Sequence, residues 1–183
     1  MTTAPGTRPV LVRPATAADQ ARIVDLHARA RARYQRERHP GAVPESAEEC
    51  ERWAREWART VGEDAATVLC AERAEALVGV AAYRTRRCAH PACVTLTQLH
   101  VDPGHWSTGV GGALLDVCQE AWAADGRTTA ELEVLWHNRR ARAFYRRRGW
   151  LPDESRRPAP DATHLPLLLR LEPAARPPSG RRG

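Results

Sequence analysis

NRRARAFYRRRGW, residues 138–150, describes the end of a strand, a short helix and a stop. Asn138 is suited to cap the helix, because its side-chain oxygen can accept a hydrogen bond from the first turn. Ala141, Phe144 and Tyr145 are spaced i, i+3 and i+4, which puts them on one helix face. Gly149 stands where helices commonly end on a left-handed residue. The stretch therefore predicts a capped, one-sided helix that ends before this glycine.

A second stretch lies upstream: VDPGHWSTGVGGALL, residues 101–115, describes a strand end, a Gly-rich turn and a helix start. Such a turn binds phosphate groups, because its backbone N–H groups and the positive end of the helix dipole attract an anion. Gly109 and Gly111 lack a Cβ, so phosphate oxygens can approach the backbone, and Ser107 and Thr108 add hydroxyl groups. The Walker A and G-x-G-x-x-G patterns do not fit, and a plain Gly-rich helix start is the alternative.

The rest of the chain predicts a mixed α/β fold with six strands and four helices. The strands are Val10–Arg13, Thr67–Ala71, Leu77–Tyr83, Val94–Val101, Glu131–Trp136 and Leu165–Leu171. Two helices begin at the capping boxes of Thr16 and Ser46, and the others at the Gly-rich turn and at Asn138. Trp53 and Trp57 form one stripe of the second helix, predicted to face the core, with the floor of an acceptor pocket as the alternative.

Together, in this order, the two motifs resemble the GNAT superfamily of acyl-CoA-dependent N-acyltransferases. The resemblance covers roughly residues 8–172 and implies one catalytic domain over that range. It implies a central, mostly antiparallel mixed sheet of about six to seven strands, flanked by four helices. Residues 1–7 are predicted to be a flexible N-terminus, and residues 173–183 a disordered tail rich in Pro and Arg.

The resemblance also implies acetyl-CoA as cosubstrate. The family pattern [Gln/Arg]-x-x-Gly-x-[Gly/Ala] falls on Trp106–Gly111, so that Trp106 replaces the usual Gln or Arg and a weaker or altered pyrophosphate contact is expected. The main chain of the strand before the turn is expected to contact the pantetheine. The implied CoA-binding residues are Leu99, His100, Val101, Trp106, Ser107, Thr108, Gly109, Val110, Gly111, Gly112, Asn138, Arg140, Ala141, Phe144 and Tyr145.

Arg139 and Arg140 stand in the first turn of the last helix, where cations oppose the helix dipole. A nearby anion, which the CoA phosphates would supply, is our hypothesis for them. Solvated arginines on a helix surface are the favoured interpretation set against it.

Acyl transfer to an amine needs a base for the amine proton and an acid near the departing sulfur. Tyr145 occupies the tyrosine position of the family motif and is predicted to be the acid, with an aromatic core pair as the alternative. The fourth strand lacks the carboxylate that many relatives carry there. Glu133 is predicted to be the base, because Leu-Glu-Val before the Asn and Tyr is similar to bacterial ribosomal-protein N-terminal acetyltransferases. Glu131 and His100 are the further candidates, and a solvent-facing strand residue is the alternative for Glu133.

The predicted function is transfer of acetyl from acetyl-CoA to a primary amine by direct attack. The acceptor would be a protein N-terminus, a polyamine, an amino acid or an aminated small molecule. A catalytically weak acyl-CoA-binding regulatory module and an arginine-rich nucleic-acid binder are the rival interpretations. We expect no nucleic-acid or membrane partner, and a homodimer is an expectation from the family.

The amino-acid composition bears on the choice among these classes of function. All 28 basic residues among the 183 are arginine, and the net charge of +6 comes without a nucleic-acid motif, which fits GC-rich bacterial coding better than nucleic-acid binding. The N-terminus shows no signal-peptide pattern, so the cytoplasm is the expected compartment. The five cysteines are irregularly spaced and predicted to be reduced. Cys88, His90 and Cys93 form a C-x-H-x-x-C cluster without a fourth ligand, so no metal is expected.

Overall fold

The computed structural model describes residues 8–39, 41, 43, 45–85, 92–156 and 162–172. The predicted flexible N-terminus and disordered tail lie outside the described residues, as do Cys88 and His90 of the C-x-H-x-x-C cluster. The strands are β1 Leu11–Pro14, β2 Ala66–Arg73, β3 Ala76–Arg84, β4 Cys93–Val101, β5 Thr129–Leu135, β6 Leu151–Pro152 and β7 His164–Arg170. The helices are α1 Gln20–Arg38, α2 Ala47–Val61, α3 Val110–Ala124 and α4 Arg139–Arg147.

The seven strands form one mixed sheet in the order β1-β2-β3-β4-β5-β7-β6. The mixed α/β class and the sheet of six to seven strands are confirmed. β1 with β2, β2 with β3, β5 with β7 and β6 with β7 pair antiparallel. The parallel pairing of β4 with β5 covers only Cys93–Thr95 against Thr129–Glu131. The backbone of Leu99–Val101 is therefore outside this ladder.

Local signals set the ends of the helices as predicted. Ser46 and Glu49 form a reciprocal capping box at α2, with the Glu49 N–H donating to Ser46 Oγ at 3.2 Å. At α4 the Ala141 N–H donates to Asn138 Oδ1 at 3.0 Å. Gly149, at φ +83°, takes the left-handed conformation just after α4.

The described residues form two compact units. The first consists of the described residues within Met1–Arg84 and Leu96–Val117, and the second of those within Thr85–Thr95 and Cys118–Gly183. The core of the first unit is built by α1 and α2 against the first strands. Its buried residues are Ile23, Leu26, Trp53, Trp57, Val68, Cys70, Leu77, Val80 and Ala82. Trp53 and Trp57 are 4% and 3% exposed, which confirms the core stripe.

An ion-pair network fixes β1 to the start of α1 and to β2. Arg13 donates from Nη1 to Asp19 Oδ2 at 2.8 Å and from Nη2 to Glu72 Oε1 at 2.7 Å. The hydrogen bond from Arg13 is the main cause that lowers the pKa of Asp19 below its ordinary value. Because every charge in this network has a partner, it is a structural feature of the first unit.

The core of the second unit is aromatic. Trp122 and Trp150 are buried with ring centroids 6.5 Å apart, edge to face. Tyr145 packs against the same Trp150 at 5.8 Å. Leu132 and Val134 of β5 add aliphatic surface to the buried set.

One strand is missing from the sequence prediction. β6 spans only Leu151–Pro152, at the edge of the sheet, where a proline removes no needed backbone donor. Two residues are too short to give a hydrophobic period, so the sequence predicted only the other six strands. None of the helices in the described part of the chain combines the length and the hydropathy that a membrane span needs.

Candidate acyl-CoA site

The Gly-rich turn leads from the end of β4 into α3. Asp102 caps its first part, where the Gly104 N–H donates to Asp102 Oδ1 at 2.9 Å. Ser107 at φ +61° and Gly109 at φ +91° then turn the chain with left-handed backbone, which glycine adopts without strain.

The start of α3 presents backbone donors. Its first intrahelical bond runs from the Ala113 N–H to the Gly109 carbonyl at 2.9 Å. The N–H groups of Val110, Gly111 and Gly112 therefore have no partner within the helix, and they share the positive end of its dipole. These three donors can hold an anion such as a pyrophosphate.

Trp106 turns back onto the strand. Its indole N–H donates to the Val101 carbonyl at 2.9 Å, and the Arg33 guanidinium lies 5.9 Å from its ring centroid. The side chain at position 106 thus bonds to the end of β4 and supplies no positive charge to the turn.

Two arginines from other elements hold the turn. Arg29 of α1 pairs with Asp102 at 2.8 Å. Burial opposes ionisation of Asp102, but the Gly104 N–H and the Arg29 guanidinium together lower the pKa of its carboxyl. Arg73 at the end of β2 donates to the side chain and the carbonyl of Thr108, at 2.9 and 3.0 Å.

Beside this turn, in the same unit, two histidines are stacked. The rings of His27 and His100 lie 4.2 Å apart between centroids, and His27 stacks on Trp53 at 4.5 Å. The Trp57 indole N–H donates to His27 Nδ1 at 3.2 Å, so a neutral His27 carries its proton on Nε2. Burial lowers the pKa of His27 to about 4 and that of His100 to about 3, and Arg31 adds to both shifts.

His100 has its tautomer set by a neighbour on β4. Its Nε2 lies 2.7 Å from Gln98 Oε1, and since an amide oxygen only accepts, the proton is on Nε2. The lone pair of the neutral ring is then on Nδ1. His100 is half-buried and follows Leu99 on the strand predicted to contact the pantetheine.

The second unit holds the predicted acid. Tyr145 of α4 is buried, with Phe144 at 5.2 Å and Trp150 at 5.8 Å between ring centroids. Burial raises the pKa of Tyr145 above its ordinary value, so the hydroxyl is protonated at neutral pH, as an acid must be.

The carboxylates of Glu131 and Glu133 on β5 both pair with the guanidinium of Arg156. Arg156 pairs with Glu133 in a short contact and lies 3.6 Å from Glu131 Oε2. Glu131 also accepts a hydrogen bond from the Thr95 hydroxyl at 2.8 Å. Glu133 is exposed, so its carboxylate is held at the surface of the unit by an arginine.

Comparison with known proteins decides the family. The acetyltransferase (GNAT) family model matches residues 25–150, more than half of the chain. The chain belongs to the GNAT acetyltransferase family. No curated protein matches the sequence.

Solved GNAT structures share the fold. The PaiA N-acetyltransferase from Thermoplasma acidophilum, in complex with coenzyme A, is 17% identical, with a TM-score of 0.68 and 88% of this chain and 99% of that chain covered. The ribosomal-protein-S18-alanine N-acetyltransferase from Escherichia coli is 19% identical, with a TM-score of 0.66 and coverage of 91% and 96%. The GNAT domain of S. lividans PAT is 20% identical, with a TM-score of 0.65 and coverage of 87% and 89%.

Within this GNAT chain, the sequence-predicted residues fall into two local groups. The first unit contains Leu99–Val101 with the whole turn from Trp106 to Gly112, and the second contains Asn138, Arg140, Ala141, Phe144 and Tyr145 with Glu133. Arg139 and Arg140 are exposed in the first turn of α4. Among the described residues no group of three metal-ligating side chains occurs.

Sequence reasoning missed three contributors to the GNAT turn and its surroundings. His27 joins the stack from α1, and Arg73 braces Thr108 from β2. Gly79 of β3 lies under α3, because a Cβ there would stand 2.8 Å from Val110 Cγ1 and 2.9 Å from Leu114 Cδ1. Only Gly79 left a signal, since a glycine inside a strand pattern marks a close approach.

Proposed function

We propose that the protein transfers an acetyl group from acetyl-CoA to a primary amine by direct attack. The observation that carries the proposal is the start of α3, where Val110, Gly111 and Gly112 offer free donors after a left-handed turn, in a chain of the GNAT family. The donors fit a pyrophosphate, because an anion completes their hydrogen bonds and meets the helix dipole favourably. This fit supports acetyl-CoA as the cosubstrate.

The strand before the turn would bind the pantetheine. Leu99–Val101 lies beyond the three residues of β4 that pair with β5, so a ligand amide can add to this edge as a further strand does. Trp106 already donates to the Val101 carbonyl, but a carbonyl has two lone pairs and can accept a second bond.

Tyr145 is the proposed acid and Glu133 the proposed base, as the resemblance assigns them. The raised pKa of Tyr145 supports its part, since the hydroxyl keeps a proton to give to a thiolate. Glu133 must release Arg156 before it can take a proton from an amine. Glu131 shares that arginine, whereas His100 offers a neutral ring with an accepting nitrogen, and both stay alternatives for the base.

The acceptor class is a primary amine. The Leu-Glu-Val segment of β5 favours a protein N-terminus, with a polyamine, an amino acid or an aminated small molecule as further candidates. The solved neighbour that acts on an alanine of ribosomal protein S18 is consistent with this preference.

Calorimetric titration with acetyl-CoA tests the proposal. We expect one site with a Kd in the micromolar range, about −8 kcal/mol. S-acetylpantetheine, which lacks the pyrophosphate, should bind much more weakly. The absence of heat with acetyl-CoA at millimolar concentration would overturn the proposed function.

A further inference from the structure

The turn lacks the side chain that the family pattern places at its start. Position 106 normally holds Gln or Arg, whereas here Trp106 directs its only donor to the Val101 carbonyl. A pyrophosphate bound at α3 would therefore meet backbone donors without a cation from this position. A cationic side chain beside these donors would strengthen the site, because its hydrogen bonds to phosphate oxygens are charge-assisted.

Arg73 reaches the same turn from a different element. It is the last residue of β2, directly before the hairpin residues Ala74 and Glu75, whose φ angles are +51° and +66°. Its Nη1 donates to Thr108 Oγ1 at 2.9 Å and its Nη2 to the Thr108 carbonyl at 3.0 Å. Thr108 itself donates to the His105 carbonyl at 2.8 Å, so the contact is fixed on both sides. The guanidinium is thus held one residue before Gly109.

Within the part of the chain that the structure describes, Arg73 has no carboxylate partner, and its Nε is buried without a hydrogen-bond acceptor. The other two arginines near the turn differ, because Arg33 pairs with Glu37 at 3.1 Å and Arg29 pairs with Asp102 at 2.8 Å. A fixed, unpaired cation beside free backbone donors is what a polyphosphate requires.

We propose that Arg73 is a binding residue for the pyrophosphate of CoA and supplies the positive charge that Trp106 does not. The inference rests on the proposed function and names a residue outside the family motif. Arginine suits the position, since two of its nitrogens hold Thr108 while the delocalised charge faces the turn.

The test measures, by calorimetry on the full chain, the affinities for acetyl-carrying compounds that differ in their phosphate groups. Arg73→Gln should weaken acetyl-CoA about tenfold, which is about 1.4 kcal/mol. Binding of S-acetylpantetheine, measured by displacement, should not change. Arg73→Lys should keep most of the affinity because the charge is retained. Arg55→Gln is the matched control, because Arg55 is an exposed arginine of α2 that lies 3.7 Å from Glu51. Its loss should change the affinity for neither acetyl-CoA nor S-acetylpantetheine.

Two further measurements distinguish three possible effects of Arg73. Its charge can act on the pyrophosphate, its hydrogen bonds can stabilise Thr108, or it can bind the 3′-phosphate of CoA. Thr108→Val removes the hydroxyl that Arg73 holds but keeps the guanidinium, so it should weaken acetyl-CoA less than Arg73→Gln. Acetyl-dephospho-CoA should show the same loss with Arg73→Gln as acetyl-CoA does. The proposal is overturned if Arg73→Gln leaves acetyl-CoA unaffected, weakens S-acetylpantetheine equally, or acts only when the 3′-phosphate is present. It is also overturned if Thr108→Val and Arg73→Lys weaken acetyl-CoA as much as Arg73→Gln. Failure of the wild-type chain to bind acetyl-CoA would instead remove the proposed function itself.

Discussion

Tyr145 joins two requirements in one side chain. Its ring belongs to the aromatic core of the second unit, and burial raises its pKa so that the hydroxyl stays protonated. Tyr145→Phe keeps the ring and removes only the hydroxyl group. We expect turnover to fall about 100-fold, as for loss of a general acid, with the Kd for acetyl-CoA within twofold of wild type.

Steady-state rates and calorimetry check this prediction for Tyr145. Tyr83→Phe is the control, because it removes the hydroxyl of another buried tyrosine, on β3. Unchanged turnover in Tyr145→Phe would take the acid role away from this residue.

Glu133 is the residue proposed to act as the base. Glu133→Gln should remove the acidic limb of the pH–rate profile, since the amide cannot accept the amine proton. Glu131→Gln is the comparator, because Glu131 also contacts Arg156 and its loss disturbs the same ion pair. A profile of wild-type shape in Glu133→Gln would exclude Glu133, and His100 would then be the next variant to measure.

At the scale of elements, the position of α3 depends on a strand glycine. Gly79→Ala would push Val110 and Leu114 away, because both lie under 3.0 Å from the added Cβ. We expect a loss of about 1–3 kcal/mol in the free energy of unfolding, as for overpacked cores, together with weaker acetyl-CoA binding.

Denaturant unfolding and calorimetry test the glycine prediction. Gly62→Ala is the matched control, since its Cβ would meet the Ala58 carbonyl at an ordinary 3.5 Å and its φ is negative. Wild-type stability and affinity in Gly79→Ala would contradict the packing argument.

The stack of His27 and His100 joins α1 and β4 and makes stability depend on pH. Both pKa values are lowered, to about 4 and about 3, mainly by burial. The unfolded chain therefore takes up protons below pH about 6.5, whereas the folded chain does not until much lower pH. The stabilisation is complete above pH about 6.5 and is lost as the pH falls toward 4.

The groups facing the two rings explain why they resist protonation. Arg31 adds a positive charge, and its own partner Glu45 lies at 3.6 Å. Between pH 7 and 5 we expect the free energy of unfolding to fall by about 2 kcal/mol for one such histidine. Urea unfolding at both pH values measures it, with His27→Phe expected to reduce the difference and the exposed His39→Gln to leave it unchanged. An equal pH dependence in wild type and His27→Phe would contradict the prediction.

Over the whole molecule, the sequence predicted those features that depend on residues close together in the chain. Asn138 and Gly149 act on the backbone beside them, so the ends of α4 followed from their chemistry alone. The contact of Arg73 with Thr108 joins residues 35 positions apart, and no local period records it. The bond from Trp57 to His27 likewise depends on how α1 packs on α2. The fold and the Gly-rich turn were therefore predictable, while the charges and rings around the turn required the structure.

The contacts of the many arginines are also seen at the scale of the whole molecule. Many of the described arginines pair with carboxylates, as Arg13 and Arg22 do with Asp19 and Glu72. Arg142 of α4 instead lies 4.7 Å from the Trp136 ring and donates to its carbonyl at 3.0 Å. Such contacts engage these arginines within the folded chain.

Amine-dependent release of CoA thiol from acetyl-CoA is the first reaction to measure, because it shows whether the protein transfers acetyl to an amine. The purified chain is mixed with acetyl-CoA and a panel of peptide N-termini, polyamines and amino acids, and mass spectrometry follows the acceptor. We expect thiol release only when an amine is present, one acetyl group gained per thiol released, and both about 100-fold slower in Tyr145→Phe. Tight binding of acetyl-CoA without acetylation of any amine in the panel would contradict it and support an acyl-CoA-binding regulatory module instead.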